Sequence, residues 1–494
     1  MTATPGDTEA ESPAEPDSRR WVVLVLMGLA LCVVVLNNSA LNVAIPALMR
    51  DLRADLPAVQ WIVDGYSIVF AGLLMAAGVW SDRWGRKRLT LGGLVVFAGA
   101  SMLAALAREP WQLIVLRGLL GAAAAFVMPG TLSILLHVFD RKERAMAIAV
   151  WSGIAALGVA LGPILGGLVV DEFGWAAVFL LNVPMVAVIV LTGVFFVRES
   201  ADPASRPTDA VGAVLSVLAV GGLVFTVIEF GASGRLDALV ITGAVATVLA
   251  GVAFVRRLRT AKYPLMELSL LADRRFGGAA IGNMLLFFGL AGALFVLTQR
   301  LQVQLEMSPF SAGLAVGPVA VSVLLGTALS PSLGRLVGVR ATVGAGMMLS
   351  ALGIGGLGLA HSYPVIVVAL VAAGFGFGIA TPVATSVLVS SLSDDRASSG
   401  SAVNDTMQEL GWALGVAVVG ALLNRVFQAG GGVETLQQAV DLAVAAPDGA
   451  AMVAQANAAF DHAAVVSLAV AGGVSAAGAV LAARLLPARL QGAP

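Results

Sequence analysis

Charged residues are scarce in this sequence. Asp, Glu, Lys and Arg make up 12% of its 494 residues, whereas a soluble domain carries about 25% because its surface must be hydrated. Hydrophobic residues make up 59%. A chain of this composition lacks the polar surface needed to cover a soluble globule of its size, so its apolar surface must face lipid. The composition therefore indicates an integral membrane protein.

Cysteine and histidine are also rare. Cys32 is the single cysteine and lies within an apolar run, which excludes a disulfide framework and a cysteine-based metal site. His137, His361 and His462 are scattered along the chain, and they predict no metal site. The net charge of −1 gives no reason to expect a nucleic-acid partner. A nucleotide is not expected either, because no GxxxxGK[ST] motif is present, and we expect no cofactor.

Long apolar runs, by contrast, are abundant. A membrane-spanning helix needs about 20 mostly apolar residues, and the runs here are continuous rather than alternating, which favours helices over a barrel of strands. We therefore predict an all-α membrane protein with fourteen spans. The spans lie near residues 21–45, 58–80, 89–107, 112–137, 144–170, 176–197, 210–230, 237–258, 276–300, 309–330, 341–360, 364–390, 398–426 and 462–486.

The distribution of basic residues supports this span count. With a cytoplasmic N-terminus, 22 of the 29 Lys and Arg residues fall in inner segments and six in outer segments, with Arg117 inside a span. This is the positive-inside pattern, and a miscounted span would destroy it. We expect a bacterial inner-membrane protein with both termini in the cytoplasm, a disordered tail at 1–20 and a second tail at 487–494. A long external loop at 427–461 carries either short amphipathic helices over the outer mouth or no specific role.

Few ionisable residues fall inside the predicted spans, where they are costly and usually functional. Asp64 and Arg117 fall at similar depths in the outer half of the bilayer, and so do Asn37 and Asn38. Paired, the two charged groups lower each other's desolvation cost, so we expect Asp64 and Arg117 to form a pair. A carboxylate that exchanges an arginine for a proton can then couple transport to proton movement. The alternative is a static ion pair that joins two helices.

Asp405 and Glu409 are four residues apart, which places them on one face of the thirteenth span. Two carboxylates without a basic partner repel each other, so the pair can take up a proton or receive an organic cation. The alternative is that both carboxylates only form hydrogen bonds with polar neighbours such as Asn404, Thr406 and Gln408.

Two patterns rich in glycine stand out. The first lies in the loop after the second span, where glycines permit a tight turn and basic residues anchor to the cytoplasmic face. It consists of Gly78, Asp82, Arg83, Gly85, Arg86 and Lys87. The second lies in the fifth span, where small residues allow helices to approach closely and a proline adds a kink. It consists of Gly158, Gly162, Pro163, Gly166 and Gly167.

In these patterns the chain resembles the major facilitator superfamily over essentially its whole length. The loop resembles the first signature of the family, 116–118 resembles its fourth-span arginine motif, and the fifth-span glycines resemble its antiporter motif. The fourteen spans, with 61–67 and 405–411, resemble the drug:proton antiporter branch, which includes quaternary-ammonium and multidrug exporters. The resemblance implies six-helix bundles at 21–197 and 276–486, with two extra helices and linkers at 198–275.

One position departs from the pattern of that branch. Its first-span signature has an aspartate where this chain has Asn37. An asparagine cannot release a proton. Coupling is therefore expected to move to Asp64 or to the pair of Asp405 and Glu409, or else to be weakened or lost.

The sequence thus predicts a secondary active exporter of small amphipathic drugs, cationic or lipophilic, that works by proton antiport and alternating access. Its expected partners are the small-molecule substrate, protons and the lipid bilayer, and we expect a monomer. One alternative is a dedicated exporter of a metabolite or lipid with weakened proton coupling. A second is a non-transporting receptor or scaffold. No enzymatic activity is expected.

The predicted site residues fall into two overlapping groups. The proton-coupling residues are Asp64, Arg117, Asp405 and Glu409. The substrate-binding residues are Asn37, Asn38, Asn42, Asp64, Tyr66, Asp405, Glu409 and Trp412.

Overall fold

The computed structural model describes residues 19–140, 143–201, 209–390, 397–431, 436, 439, 442 and 449–488. Within these ranges the regular structure is helical. The helices are α1 (Arg19–Asp51), α2 (Leu56–Trp84), α3 (Arg86–Ala104), α4 (Pro110–Val138), α5 (Arg144–Phe173), α6 (Ala177–Leu180), α7 (Asn182–Phe196), α8 (Ala210–Ser233), α9 (Ala238–Thr260), α10 (Leu268–Ala272), α11 (Arg274–Gln299), a π-helical turn (Arg300–Gln304), α12 (Pro309–Leu336), α13 (Val339–Leu359), α14 (Tyr363–Ser390), α15 (Ala397–Gly431) and α16 (Gly449–Leu485).

Fourteen segments in the described part of the chain are long and apolar enough to cross a membrane. The sixth combines α6 and α7, and the ninth combines α11 with the π-helical turn. The predicted all-α fold class and the predicted number of spans are confirmed, and the chain is a multi-pass membrane protein. We call the face that carries the turn between α1 and α2 the outer face, because the predicted topology places it outside, and the opposite face the inner face.

The sixth span is interrupted, although the sequence predicted one continuous run. Helix α6 ends at Leu180 and α7 begins at Asn182. Pro184 follows in the first turn of α7, and a proline has no N–H to donate and clashes with the carbonyl group four residues earlier. That carbonyl belongs to Leu180, so the break falls where the proline requires it.

The external connection is shorter than predicted. Helix α15 continues to Gly431 and α16 begins at Gly449, so both helices extend into the segment 427–461 that was assigned to a loop. Alanine-rich sequence favours helix beyond the membrane core, where hydropathy no longer marks it. Of the residues between them the structure describes Leu436, Ala439 and Leu442, and the first two are buried. The remainder of this segment, like residues 1–18 and 489–494 of the predicted tails, lies outside the described residues.

The helices pack in two groups with an inserted pair between them in sequence. Helices α1–α7, called the N-half below, pack through α1 with α5 and through α2 and α3 with α4. Helices α11–α16, called the C-half, pack through α11 with α15 and α16 and through α13 with α14 and α16. The two halves meet where α2 packs on α15 and α5 packs on α12. That the halves correspond to two separately moving bundles stays a prediction.

The inserted pair covers one of these two seams. Helix α8 packs against both α2 and α15, whereas α9 packs chiefly against α8 and is mostly exposed. The inner ends of the pair are joined by an ion pair in which Arg257 Nε lies 2.9 Å from Asp209 Oδ1. The inserted pair therefore lies at the periphery of the molecule, with α8 touching both halves.

Candidate functional site

A fully buried arginine organises the middle of the N-half. Arg117 on α4 donates from Nε to the Ile62 carbonyl at 2.8 Å, and from Nη1 and Nη2 to the side-chain oxygens of Asn37 and Asn38, each at 3.0 Å. Nη2 also lies 3.3 Å from the Val63 carbonyl. The buried positive charge is thus bound by four neutral acceptors from α1 and α2, which offset part of its desolvation cost.

The direct ion pair expected between Asp64 and Arg117 is not formed. Asp64 is fully buried, and both of its carboxylate oxygens lack a hydrogen-bond partner among the described residues. The reason is local: the carbonyls of Ile62 and Val63, on the same helix as Asp64, take up donors of the guanidinium. The two charged groups still interact electrostatically at longer range. The expectation of a contact pair was wrong, and Asp64 is a buried carboxyl group without a bonded partner.

The ring of Tyr66 packs against the guanidinium of Arg117. The ring centroid lies 4.4 Å from Arg117 Cζ, which is a cation–π distance. Tyr66 is 1% exposed, and its hydroxyl has no hydrogen-bond partner among the described residues. Asn42, the remaining predicted N-half residue, is buried one helical turn beyond Asn38. An aromatic ring and several polar atoms therefore surround the arginine.

In the C-half, Asp405 is the end of a chain of polar side chains. Its Oδ1 accepts from Asn404 Nδ2 at 3.2 Å, and Asn404 Oδ1 accepts from Asn283 Nδ2 at 2.9 Å. Asn283 Nδ2 also lies 3.3 Å from Thr385 Oγ1. Sequence reasoning missed Asn283, although a single amide within the apolar ninth span was a usable signal. The chain fixes Asp405 relative to α11 and α14.

The structure brings the two predicted clusters together. Glu409 interacts electrostatically with Arg117 and with Tyr66, although they lie on opposite halves. Trp412, one turn further along α15, packs against the hydrophobic cluster of the N-half. The sequence predicts that Asp405 and Glu409 lack a basic partner, and among the described residues neither carboxylate forms an ion pair. Glu409 interacts with Arg117 only at longer range. Asp405 and Glu409 are both partly exposed.

Direct hydrogen bonds join the halves on the outer side of this cluster. Gln60 Nε2 on α2 donates to the carbonyl of Ala417 on α15 at 2.9 Å. Gln302 Nε2, in the π-helical turn, donates to the carbonyl of Val43 on α1 at 2.8 Å. Neither glutamine was singled out from the sequence, because an amide side chain near a span end carries no distinctive pattern.

A carboxylate at the end of α5 makes a third outer connection. Asp171 Oδ2 accepts from Ser308 Oγ at 2.9 Å and from the backbone N–H of Phe310 at 3.0 Å. Those donors belong to the start of α12, whose first-turn N–H groups lack helical partners and favour negative charge. The last turn of α5, in the N-half, therefore caps α12, in the C-half.

The glycine pattern of the fifth span lies at two interfaces of α5, one with α1 in the same half and one with α12 in the other half. Gly158, Gly162 and Gly166 face α1, while Pro163 and Gly167 face α12. A Cβ at Gly167 would lie 2.7 Å from Phe310 Cα, so a larger residue would force the halves apart. Nearer the inner face of the same helix, a Cβ at Gly153 would meet no atom within 4 Å. Close contact between the halves along α5 is thus observed at Pro163 and Gly167, in the outer part of the helix.

The loop pattern after the second span lies at the inner face. Asp82 accepts from Arg86 Nε at 2.7 Å and from Ser133 Oγ at 3.2 Å. Gly85 adopts φ +113°, a conformation that side chains disfavour. The other members of the pattern are Gly78, where an added Cβ would lie 3.7 Å from Pro129 Cβ, the exposed Arg83, and Lys87, whose Nζ donates to the Val194 carbonyl at 2.7 Å. The predicted gating loop is thus bound to its own half.

Arg300 lies in a different environment from the one predicted. It ends the predicted ninth span at 276–300 and counts among the six basic residues of the outer segments, but it is 4% exposed within the π-helical turn. Its guanidinium donates to the Leu357 carbonyl at 2.8 Å and to Asp461 Oδ1 at 3.2 Å. The helix continues past the end of the hydropathic run, so the arginine packs between α13 and α16.

Comparison with known proteins places this arrangement in a family. The profile of the Major Facilitator Superfamily matches residues 27–416. The chain belongs to the Major Facilitator Superfamily. It is therefore a membrane transporter and not an enzyme, and the resemblance drawn from its motifs is confirmed.

Several relatives cover most of the chain. It is 34% identical over 422 residues to the multidrug efflux pump LfrA of Mycolicibacterium smegmatis, which covers 84% of this chain and 83% of LfrA. It is 31% identical over 417 residues to the methyl viologen resistance protein SmvA of Salmonella typhimurium, covering 83% and 84%. It is 33% identical over 438 residues to a Streptomyces coelicolor protein named "Probable actinorhodin transporter", covering 85% and 75%.

A solved structure has the same fold. The crystal structure of a bacterial homologue of the human lysosomal transporter Spinster, inward-facing and unoccupied, aligns with a TM-score of 0.71. The alignment covers 97% of this chain and 100% of the other at 16% identity. A likeness at this level of identity supports the fold alone.

Proposed function

We propose that this protein exports amphipathic compounds, cationic or lipophilic, by proton antiport. The observation that carries the proposal is the packing of α15, which bears Asp405 and Glu409, against α2, with Trp412 set in the hydrophobic cluster of the N-half that also contains Tyr66. Three carboxyl groups, those of Asp64, Asp405 and Glu409, share this region with one guanidinium. When the carboxyl groups are ionised, the excess negative charge favours an organic cation.

The substrate contacts follow from the same geometry. Tyr66 and Trp412 offer aromatic faces, and both carry a buried polar atom without a partner among the described residues. Aromatic rings bind organic cations and flat apolar molecules. Asn38 and Asn42 add amide groups on α1. We assign these residues, with Asn37, Asp64, Asp405 and Glu409, to substrate binding.

Proton exchange is assigned to the carboxyl groups and not to the first span. Asn37 accepts a hydrogen bond from Arg117 through an amide oxygen that cannot be protonated near neutral pH, so this contact cannot itself take up or release a proton. Asp64 is enclosed, and its carboxyl group has no hydrogen-bond partner in the described part of the chain. Ionising such a group costs much more than keeping it neutral, so any movement that admits water or a cation changes its proton affinity. Asp64 can thereby link proton release to a change of state.

Alternating access between bundles 21–197 and 276–486 provides that change of state. The outer contacts made by Gln60, Gln302 and Asp171 support the interpretation that the structure is closed outside. Opening the outer face requires these contacts to break while the loop around Asp82 meets the C-half at the inner face. We assign Arg83, Arg86 and Lys87 to this inner gate, in a protein of the bacterial inner membrane with both termini in the cytoplasm.

Proteoliposomes with an imposed pH gradient test the proposal. Methyl viologen is a suitable dication because SmvA is named for resistance to it. We expect its addition to release protons and its movement to require the gradient. Asp405→Asn should abolish most of this exchange, while the control Asp237→Asn, which changes a carboxylate far from the cluster, should not. Folded wild-type protein that moves neither methyl viologen nor any other amphipathic compound would refute the proposal and favour the dedicated exporter considered next.

A second candidate is a dedicated exporter of a metabolite. The relative named "Probable actinorhodin transporter" favours it, since its name denotes one natural product rather than a range of drugs. Competition experiments separate the two functions. A dedicated exporter should be saturated by one compound class and ignore structurally unrelated cations, whereas a multidrug exporter should be inhibited by many of them.

A further inference from the structure

A glutamate at the end of the sixth span binds the start of the third. Glu199 Oε1 accepts from the backbone N–H of Lys87 at 3.1 Å, and Oε2 accepts from that of Arg88 at 3.0 Å. These N–H groups belong to the first turn of α3, where helical partners are lacking and negative charge is favourable. The carboxylate therefore caps a helix that begins more than a hundred residues earlier in the chain.

Further contacts make this junction a clamp. The N–H of Arg86 donates to the Ser200 carbonyl at 2.9 Å, and Lys87 Nζ donates to the Val194 carbonyl at 2.7 Å. A Cβ at Gly85 would lie 2.9 Å from the Glu199 carboxyl carbon. The space that glycine leaves empty is thus the space in which the carboxylate approaches α3. We call these contacts the Glu199 clamp.

The clamp acts on the loop that carries the gating pattern. Arg86 is held by Ser200 through its backbone while its side chain binds Asp82. Asp82 in turn accepts from Ser133 on α4. Glu199 lies outside the sequence pattern that marked this loop, but it fixes the turn on which two members of the pattern, Gly85 and Arg86, are presented.

We propose that Glu199 is a positioning residue for the inner gate, which it keeps ordered so that the C-half can close onto it. The inference rests on the proposed transport cycle. The hydrogen bonds given above for this loop all lie within its own half, so in the present state loosening it breaks none of the hydrogen bonds between the halves. In the inner-closed state the C-half must pack on it, and an unclamped loop must first be ordered at a cost in entropy. Loss of the clamp therefore destabilises the inner-closed state more than the present state, and this difference is what shifts the populations of the two states.

The test compares Glu199→Gln, Glu199→Asp and the control Asp237→Ala. Asp237 caps α9 by accepting from the N–H of Val240 at 2.9 Å, so its loss removes a similar contact away from the gate. Spin labels at Asp140→Cys and Leu336→Cys, both exposed at the inner ends of opposite halves, report the gate distance in a Cys32→Ala background. Methyl viologen transport gives turnover and KM, and thermal unfolding gives stability.

We expect Glu199→Gln to lower turnover roughly two- to tenfold, the range expected for a lost cap. KM and the melting temperature should stay near wild type, the short inner distance should be depopulated, and Glu199→Asp should recover part of both losses. Unchanged turnover and distances, or equal effects in Asp237→Ala, would overturn the proposal. A wild-type protein that moves no cation would refute the proposed function, whereas the distance measurement would still decide the role of Glu199.

Discussion

Arg117 on α4 donates to the side-chain oxygen of Asn37 on α1 at 3.0 Å, so the buried guanidinium has an amide where a carboxylate would form an ion pair. The charge of Arg117 is therefore not cancelled by its nearest side chain. At longer range it interacts electrostatically with Asp64 and with Glu409, which belongs to the other half. Any change in the ionisation of these carboxyl groups thus alters the forces between α2, α4 and α15.

The first prediction concerns the strength of the coupling between Arg117 and Asp64. Arg117→Gln should destabilise the protein by about 2–4 kcal/mol, because it leaves buried acceptors unpaired. Asp64→Asn should cost little, since the oxygens of Asp64 accept no hydrogen bond from any described residue. The coupling energy in a double-mutant cycle should stay below about 1 kcal/mol, and unfolding in mixed micelles measures it. A value of about 3–5 kcal/mol would instead indicate a direct buried pair and contradict the observed geometry.

The second prediction separates the stability of Asp64 variants from their transport. Asp64→Asn should be at least as stable as wild type, because the amide cannot ionise in a buried site. Gradient-driven accumulation of methyl viologen should nevertheless fall to near background, while downhill exchange continues. Asp55→Asn, a conservative change in the cap of the same helix, is the control. Retention of full gradient-driven transport in Asp64→Asn would remove Asp64 from proton coupling.

The third prediction concerns the charge of the substrate. Asp405→Asn and Glu409→Gln should each reduce export of cationic compounds roughly tenfold, equivalent to about 1.4 kcal/mol. Neutral lipophilic compounds should be affected less, because they do not need a counter-ion. Parallel transport assays with a cation and a neutral dye measure the difference. If the double variant still releases protons on substrate addition and Asp64→Asn does not, the pair serves only to shape the site.

The sequence predicts the spans well because a single physical requirement produces them. Lipid imposes about 20 apolar residues on every crossing helix, whatever its neighbours are. The same signal cannot locate helix ends that project into water, and for that reason the start of α16 at Gly449 and the burial of Arg300 were missed. Hydropathy marks the part of a helix that lies in the membrane core, and it gives no signal for the part that extends beyond it.

The site was predictable residue by residue but not as an assembly. Depth along a helix placed Asp64 and Arg117 in one layer, yet it could not show that backbone carbonyls would take the donors of the arginine. Nor could it show that Glu409, almost three hundred residues away in sequence, approaches the same arginine. Both facts depend on the rotation of α2, α4 and α15 about their axes, which packing between helices decides.

The last prediction concerns the outer contact between the halves. Asp171→Ala removes the acceptor for Ser308 Oγ and for the N–H of Phe310, so α12 loses its cross-half cap. Loss of a cap costs about 1–2 kcal/mol, which corresponds to a roughly five- to thirtyfold shift towards the outer-open state. Spin labels at Phe173→Cys and Leu314→Cys, both exposed, should therefore show a larger population at long distance.

Asp55→Ala is the matched control for this experiment. Asp55 accepts from the N–H of Ala58 at 2.8 Å and caps α2 within its own half. Its loss should lower stability to a similar extent and leave the outer distance unchanged, because the cap is present in both states and shifts nothing between them. An equal shift in both variants would mean that general loosening opens the outer face, and an unchanged distance in Asp171→Ala would show that Asp171 does not hold it closed.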